Sequence, residues 1–181
     1  SGAGSNSITV TTPGLTYTGS PSSGVGNAAT MNNNGEDVTK SFTAITSGNV
    51  YASCLAKVTS ALTGDHFFSI IGTSTTTFNA RIYVKSNGAS GINFGVSKNS
   101  STTITYDATA FALNTTYLLV LKYTYNSGTT TDDVVSLYVN PALGSSEPSP
   151  LIAPVTSGGN DATSLSNILL RQGSSTTAPT L

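Results

Sequence analysis

Few side chains in this sequence could catalyse a hydrolytic reaction. The only glutamates are Glu36 and Glu147, and both lie in segments of turn-like composition. A glycoside hydrolase needs two carboxylates that face one cleft about 5 to 9.5 Å apart. Asp132 and Asp133 are neighbours in the chain, so in extended backbone their side chains point to opposite sides. The carboxylates therefore do not match the pattern of a catalytic pair.

The single histidine and the single cysteine also do not match the pattern of a catalytic site. His66 directly follows Asp65, so the two side chains are expected on opposite faces of a strand. No Gly-x-Ser-x-Gly stretch occurs that could present a serine nucleophile to this histidine. Cys54 shares a predicted strand face with Val50 and Ala52, which favours a small buried side chain over a reactive thiolate. The sequence predicts a protein that is not an enzyme.

Calcium is the metal that the residue types allow. One histidine and one cysteine cannot form a closed tetrahedral zinc site. Calcium takes about six to eight oxygens from carboxylates, carbonyls and amides. Residues 126–133 form the most oxygen-rich predicted loop, in which Asp132 and Asp133 are the candidate calcium ligands. Turn geometry alone also accounts for Asn and Asp in loops. Similar groups occur in two other loops: Asn34, Glu36 and Asp37, and Asn160 with Asp161.

A polar and aromatic sheet face is the candidate ligand site. Apolar and polar residues alternate along Phe78–Lys85 and again along Gly91–Lys98. Matching the apolar faces of this predicted hairpin gives three pairs: Val84 with Ile92, Ile82 with Phe94, and Ala80 with Val96. The opposite face offers a planar ring and short polar groups that could bind a sugar, and it is also compatible with a solvated or covered surface. Its candidate ligand-binding residues are Arg81, Tyr83, Lys85 and Asn93.

The composition limits the fold and the partners. The net charge is −1, and the seven basic residues are too few to neutralise the phosphates of a nucleic acid. No run approaches the roughly 18 apolar residues of a membrane span. Hydrophobic residues make up 37% of the chain and many of them alternate as in strands, which is not typical of disorder. The sequence thus predicts a globular β protein without nucleic-acid binding or membrane insertion.

Turn signals between the alternating segments predict an all-β fold, an antiparallel β-sandwich with jelly-roll architecture, in a single domain over residues 1–181. The segment Thr116–Tyr125 is apolar on both faces, so it is expected to be a central strand. Pro141–Pro154 is expected at an edge or in a loop. The predicted strands are Ile8–Thr11, Leu15–Thr18, Val38–Phe42, Val50–Val58, His66–Ile71, Phe78–Ser86, Gly91–Lys98, Ile104–Tyr106, Thr116–Tyr125, Val134–Asn140 and Ile168–Gln172.

The second predicted hairpin carries a family resemblance. An aromatic-led strand within Asn114–Tyr123 is followed, after a loop, by the Leu-Tyr-Val-Asn strand of Val135–Asn140. This pattern resembles the corresponding hairpin of concanavalin-like and laminin-G-like jelly rolls. Most of the chain is similar to jelly-roll modules in secreted multidomain proteins of Bacteroidota and related bacteria. The stretches that carry this similarity are Ile8–Tyr17, Gly24–Ala28, Gly35–Val38, Val50–Ser53, Gly128–Asp133 and Leu170–Gly173.

The resemblance implies a jelly roll that is secreted or held at the cell surface, and laminin-G-like domains often bind calcium on a loop rim. Such modules usually begin with an acidic-aromatic strand and end with an Asp-Gly-Ile-Arg-Val strand, and this chain has neither. The chain is therefore expected to be a fragment of a longer parent or to receive flanking strands from elsewhere. A sheet that is short at its ends exposes unpaired backbone, which is a template for another chain.

Two functions follow as hypotheses. The first is a non-catalytic extracellular binding or adhesion module whose partner is a glycan or another cell-surface ligand. The alternative is a structural subunit of an extracellular fibre, sheath or surface layer, whose partners are copies of itself joined through β-sheet edges. The first is slightly favoured because of the polar face that carries Tyr83.

Overall fold

The computed structural model describes residues 6–21, 23–88, 91–99, 102–156 and 158–181. Strands form the regular secondary structure of these ranges, and no helix within them is long and apolar enough to cross a membrane. The strands are β1 Thr9–Thr11, β2 Ala28–Thr30, β3 Val38–Ile45, β4 Asn49–Lys57, β5 Asp65–Ile71, β6 Phe78–Ser86, β7 Gly91–Lys98, β8 Thr105–Tyr106, β9 Phe111–Ala112, β10 Thr116–Thr124, β11 Val134–Val139, β12 Ile152–Val155 and β13 Leu165–Leu170.

Two antiparallel sheets form a β-sandwich, as predicted. The narrow sheet has four strands in the order β12-β11-β10-β4. The wide sheet has the order β3-β13-β5-β6-β7-β8, and β9 also pairs with β7. β1 and β2 form a separate two-stranded ribbon. β3 and β4 follow each other in the chain but lie in different sheets, and each is the last strand at its edge.

The core lies between the inner faces of the two sheets. β10 pairs with both β4 and β11, so the prediction that this strand is central is confirmed. Its Leu119 and Leu121 are fully buried, and they belong to one cluster with Ile82 and Phe94 of the wide sheet. Burial of each such side chain contributes about 1.5–3 kcal/mol to folding. Because the chain carries few charges, this apolar contact is its main source of stability.

The hairpin of β6 and β7 differs from the predicted register. The two faces are as expected, but Val84 pairs with Phe94, whereas the sequence predicted Ile92. The amide of Asn87 donates to the carbonyl of Gly91 at 3.2 Å, which continues the observed register beyond the pair of Ser86 with Ile92. A shift by two residues leaves every side chain on its own face, so the alternation of residue types could not reveal it.

Other differences are confined to short or irregular segments. The prediction of a strand at Leu15–Thr18 was wrong, because the chain there forms turns in which the Gly24 amide donates to the Leu15 carbonyl at 3.0 Å. The ribbon strand β2 and the strands β9 and β12 were not predicted. β12 contains Pro154 and lies at the edge of the narrow sheet, where a missing amide hydrogen removes no interior ladder bond.

Gly95 allows β8 to lie against β7. A Cβ atom at this position would be 2.6 Å from Cδ1 of Tyr106 and 3.1 Å from the carbonyl oxygen of Thr105. The Tyr106 ring therefore occupies the space that a side chain at position 95 would need. Tyr83, the cross-strand partner of Gly95, meets the Tyr106 ring edge-on at a centroid distance of 6.4 Å. The glycine thus determines how the outer face of the wide sheet is covered.

We expect Gly95→Ala to lower the free energy of unfolding by about 1–3 kcal/mol, because the added methyl group overpacks against Tyr106. Urea denaturation measures this loss. In a Tyr106→Ala background, the same substitution should cost much less, since the ring is no longer there. An equal loss in both backgrounds would show that the contact with the ring is not the cause.

Candidate functional site

The predicted ligand-binding residues lie side by side on the outer face of the wide sheet. Arg81, Tyr83 and Asn93 are buried, and Lys85 is half-buried. Nη1 of Arg81 donates to the Tyr83 hydroxyl at 2.9 Å, and Nδ2 of Asn93 donates to the carbonyl of Thr109 at 2.9 Å. This face is therefore covered, which was one of the alternatives that the sequence left open.

Tyr106 covers Tyr83 and Lys85. Nζ of Lys85 lies 4.3 Å from the centroid of its ring, close enough for a cation–π interaction. Burial raises the pKa of the Tyr106 hydroxyl to about 12, with smaller contributions from Tyr83 and Asp65. A ligand that reached Tyr83 from this side would have to displace this ring. The ligand role of these residues stays a prediction.

Asp65 and His66 contact each other, although their cross-strand partners, Val84 and Tyr83, lie on opposite faces of the wide sheet, as expected for neighbouring residues of a strand. Oδ1 of Asp65 lies 3.2 Å from Nδ1 of His66, where the pairing of β5 with β6 is irregular just after His66. Arg171 and Thr177 each donate a hydrogen bond of 2.8 Å to the Asp65 carboxylate. Burial opposes ionisation of Asp65, but hydrogen bonds from His66, Thr177 and Arg171 outweigh it and hold its pKa well below the usual range.

His66 does not complete a catalytic triad among the described residues. Its Nε2 is buried and accepts or donates no hydrogen bond within that part of the chain. Burial also lowers the pKa of His66, although the hydrogen bond with Asp65 partly offsets this effect. Its ring packs 4.8 Å from Phe78 and 5.3 Å from Tyr83, measured between centroids. These contacts indicate a packing role for the imidazole.

Three aspartates meet at one end of the sandwich. Asp132 and Asp133 precede β11, Asp161 precedes β13, and one carboxylate oxygen of each lies within 4.8 Å of the others. Carboxylate oxygens this close together could hold a metal ion. Asp132 and Asp133 belong to one predicted loop and Asp161 to another, and no local pattern in the sequence indicates that the two loops meet. We call these three residues the aspartate cluster.

Asp133 is the most deeply buried member of the cluster. Its Oδ2 accepts a hydrogen bond of 2.6 Å from the Tyr123 hydroxyl, and its Oδ1 accepts one of 2.6 Å from the amide of Asn126. The Tyr123 oxygen in turn accepts a hydrogen bond of 2.8 Å from the amide of Ala162. The pKa of Tyr123 is strongly raised, first by burial and then by the adjacent Asp133. This tyrosine therefore stays protonated and acts as a donor to the carboxylate.

A lysine side chain reaches the aspartate cluster from the core. Lys98, at the end of β7, has no exposed surface. Its Nζ lies 2.5 Å from Oδ1 of Asp161 and 2.9 Å from the carbonyl oxygen of Thr131. Burying an ammonium group is unfavourable unless it is paired and hydrogen-bonded. The aspartate cluster thus already faces a cation that belongs to the protein.

The donors around the cluster do not fit a calcium shell in this arrangement. The amides of Gly128 and Thr129 donate to Oδ2 of Asp132. Both oxygens of Asp161 accept backbone hydrogen bonds, and both oxygens of Asp133 have donors as described above. Among the described residues, Oδ1 of Asp132 is the carboxylate oxygen of the cluster that lacks a donor. Calcium needs about six to eight such oxygens, so it would have to displace Lys98 and several amides.

The outer face of the narrow sheet carries a second polar and aromatic group, which the sequence analysis did not assemble. The Tyr51 ring is half exposed on β4. Its hydroxyl donates to Oε2 of Glu147 at 2.7 Å, and Nζ of Lys122 lies 2.8 Å from Oε1 of the same carboxylate. Tyr138 also donates to Glu147. Tyr51, Tyr138 and Glu147 line a groove of about 320 Å³, and Lys122 lies beside it through its contact with Glu147. We call this groove, together with Lys122, the Tyr51 groove.

The charges in the Tyr51 groove are fixed by these hydrogen bonds. Donation from Lys122, Tyr138 and Tyr51 lowers the pKa of Glu147 to about 2. Burial and the hydrogen bond to Glu147 raise the pKa of Tyr138 to about 12. Nζ of Lys122 also lies 5.2 Å from the centroid of the Tyr51 ring. The groove therefore presents an ionised carboxylate, an ammonium group and an exposed ring at neutral pH.

Only part of the Tyr51 groove could be found from the sequence. The alternation of residue types along β11 places Tyr138 on the outer face, where it is almost fully buried. Tyr51 and Lys122 come together because β4 pairs with β10, and the register of that pair depends on contacts far apart in the chain. Glu147 lies on the loop between β11 and β12, and no local sequence pattern predicts the path of that loop.

Neither a protein-family model nor a curated protein matches the sequence. Among solved structures, the chain is similar to a native heptameric SAP-like pentraxin from Limulus polyphemus, with 12% sequence identity and a TM-score of 0.49. The match covers 74% of this chain and 56% of the pentraxin chain, so it spans little more than half of that protein. The assignment of a β-sandwich rests on the strand pairings given above.

The hydrogen bonds of the aspartate cluster predict that calcium does not stabilise the domain. Because Lys98 already faces these carboxylates, we expect the midpoint of thermal unfolding to be the same in calcium and in excess EDTA. Differential scanning fluorimetry measures it. A rise in calcium that disappears in Asp132→Asn would instead support the calcium site predicted at Asp132 and Asp133, since a ligand that binds only the folded state stabilises it.

Proposed function

We propose that this domain is a non-catalytic extracellular binding module that takes a glycan in the Tyr51 groove. The observation that carries the proposal is the half-exposed Tyr51 ring on a flat sheet face, beside the ion pair of Lys122 and Glu147. Small-ligand sites combine apolar or aromatic surface with a few well-placed polar groups. The groove has this composition and lies open to solvent.

The chemistry of a sugar suits these groups. One face of a pyranose ring presents C–H groups, which pack on the electron-rich face of an aromatic ring. Its hydroxyls both donate and accept hydrogen bonds. A sugar hydroxyl could replace Tyr51 or Lys122 as a donor to Glu147, and the released Lys122 could donate to another hydroxyl; the side chain of Glu147 is 42% exposed and that of Lys122 17% exposed. Because Glu147 is held by three donors, it needs little ordering when a ligand binds.

Glycan binding can be tested by alanine and phenylalanine substitutions at Tyr51. The purified domain is applied to a glycan array, and the best ligand is titrated by calorimetry. We expect Tyr51→Ala to weaken affinity at least about tenfold, equivalent to about 1.4 kcal/mol. Tyr51→Phe should lose less, because it keeps the stacking ring.

The control for Tyr51 is Tyr17→Ala, which removes a half-buried tyrosine from the turns that follow β1. That variant should bind as the unaltered domain does. Failure of the unaltered domain to retain any glycan, or equal affinity of Tyr51→Ala, would contradict the proposal. Tyr83→Phe in the same assay tests the other predicted face: a loss of affinity there would support a ligand site at Arg81, Tyr83, Lys85 and Asn93.

Assembly through sheet edges is the second candidate function, and the two open edges favour it. Within the described ranges, β4 has β10 as its one strand partner and is nine residues long. In the same ranges β3 pairs with β13 alone, and most of its eight residues are exposed. Neither strand contains proline, and each carries one lysine as its only charge. Long edges with little charge are templates for pairing with another chain.

Light scattering and negative-stain electron microscopy test edge assembly. If copies join through β4, the domain should form ordered filaments or oligomers, and Ser53→Lys should shift it to monomers because the added charge repels at the edge. Ser127→Lys, on an exposed loop away from β4, is the matched control. A domain that stays monomeric at high concentration would exclude this candidate.

A further inference from the structure

The contact between Lys98 and Asp161 is the most unusual polar contact in the core. Lys98 is completely buried, and its Nζ lies 2.5 Å from Oδ1 of Asp161, whose side chain is 13% exposed. The two residues are 63 positions apart in the chain. A buried ion pair gives weak net stabilisation, because removing both charges from water costs about as much as their attraction returns. An amide bond between the two side chains would remove both charges.

We propose that Lys98 and Asp161 condense to form an intramolecular isopeptide bond. Nζ of Lys98 forms a bond to Cγ of Asp161, and the bond from Cγ to Oδ1 breaks. The electron pair of the broken bond leaves with the oxygen. Two protons of the original ammonium group go to that oxygen, so an ammonium and a carboxylate become one amide and one water. The reaction needs no oxidant, reductant or cofactor.

Both reacting groups are already held in position. The carbonyl of Thr131 accepts a hydrogen bond from Nζ of Lys98 at 2.9 Å, which orients the nitrogen toward Asp161. The segment that carries Asp161 is fixed from two sides: its amide donates to the Thr130 carbonyl at 2.8 Å, and Nδ2 of Asn99 donates to the Asn160 carbonyl at 2.9 Å. Holding two reactants in one geometry removes much of the entropic barrier to their reaction.

Backbone amides can stabilise the charge that develops during the attack. The amide of Asp132 donates to Oδ2 of Asp161 at 3.0 Å, and the amide of Asp133 donates to Oδ1 at 3.1 Å. Addition of nitrogen to Cγ places negative charge on Oδ2. A preformed amide donor at this distance is the arrangement of an oxyanion hole. The same two amides hold the carboxylate still before the reaction.

Asp132 is the residue to which we assign the proton transfer, which requires its free oxygen to move toward Lys98. Its Oδ1 is buried and lacks a hydrogen-bond partner among the described residues, while its Oδ2 is held by two amides. Its carboxylate lies within 4.8 Å of those of Asp133 and Asp161. Asp132 would take a proton from the Lys98 ammonium and return it to the departing oxygen, as a general base and then a general acid. Asp133 is less suited, because both its oxygens have donors.

Intact mass spectrometry of the folded, unaltered domain tests the proposal. We expect a mass lower than that of the sequence by one water. After trypsin digestion, a branched peptide should join the segments around Lys98 and Asp161, and cleavage after Lys98 should be absent. A folded domain with the full sequence mass, or a water loss that maps to other residues, would overturn the proposal.

Three variants distinguish a loss of bond formation from a loss of folding. Lys98→Arg keeps the positive charge but should show the full sequence mass. Asp132→Asn should fold, as judged by circular dichroism, and form the bond at least about tenfold more slowly, since general acid–base catalysis contributes about 10²–10⁴-fold. Lys122→Arg changes the exposed ion pair with Glu147 and should keep the mass deficit. Normal bond formation in Asp132→Asn would overturn the role of that carboxylate. Peptide mapping of the unaltered domain shows whether the bond exists, and this result does not depend on whether a variant folds.

Discussion

A buried chain of polar contacts joins the two sheets at one end of the sandwich. It runs from the Tyr123 hydroxyl on β10 through Asp133 to the segment that carries Asp161, and from there to Lys98 on β7. The contacts cross the core, so neither sheet can slide on the other without exposing a charge or losing a donor. In a protein with only 8% charged residues, these few charges therefore specify how the sheets align.

The sequence predicts the faces of the strands better than it predicts their partners. Alternation placed Ile82 and Phe94 in the core and Arg81 outside it, because side-chain direction is a local property of a strand. The register of β6 with β7 depended on which residues face each other beside the turn, and the pairing of β4 with β10 depended on contacts distant in the chain. Strand register and strand pairing are determined by packing between distant segments, which a local sequence pattern does not reveal.

For Lys98, the local sequence does indicate a buried polar contact. It lies in the same alternation as Phe94 and Val96, so its side chain belongs to the core face. A lysine in that phase requires a buried partner with negative charge. What the sequence could not supply was the identity of that partner, because Asp161 reaches Lys98 on an irregular segment before β13. Sites built from loops are therefore harder to predict than the strands that support them.

If Lys98 and Asp161 form the proposed bond, its position has a mechanical consequence for the proposed binding module. Between these residues lie the strands β8 to β12, and with them Lys122, Tyr138 and Glu147 of the Tyr51 groove. When the domain is pulled between its first and last described residues, the covalent bond would carry the tension and the intervening chain would not be stretched. Of the four residues that define the groove, only Tyr51 lies outside the protected segment. The groove could then keep its geometry, and a bound ligand, under tension.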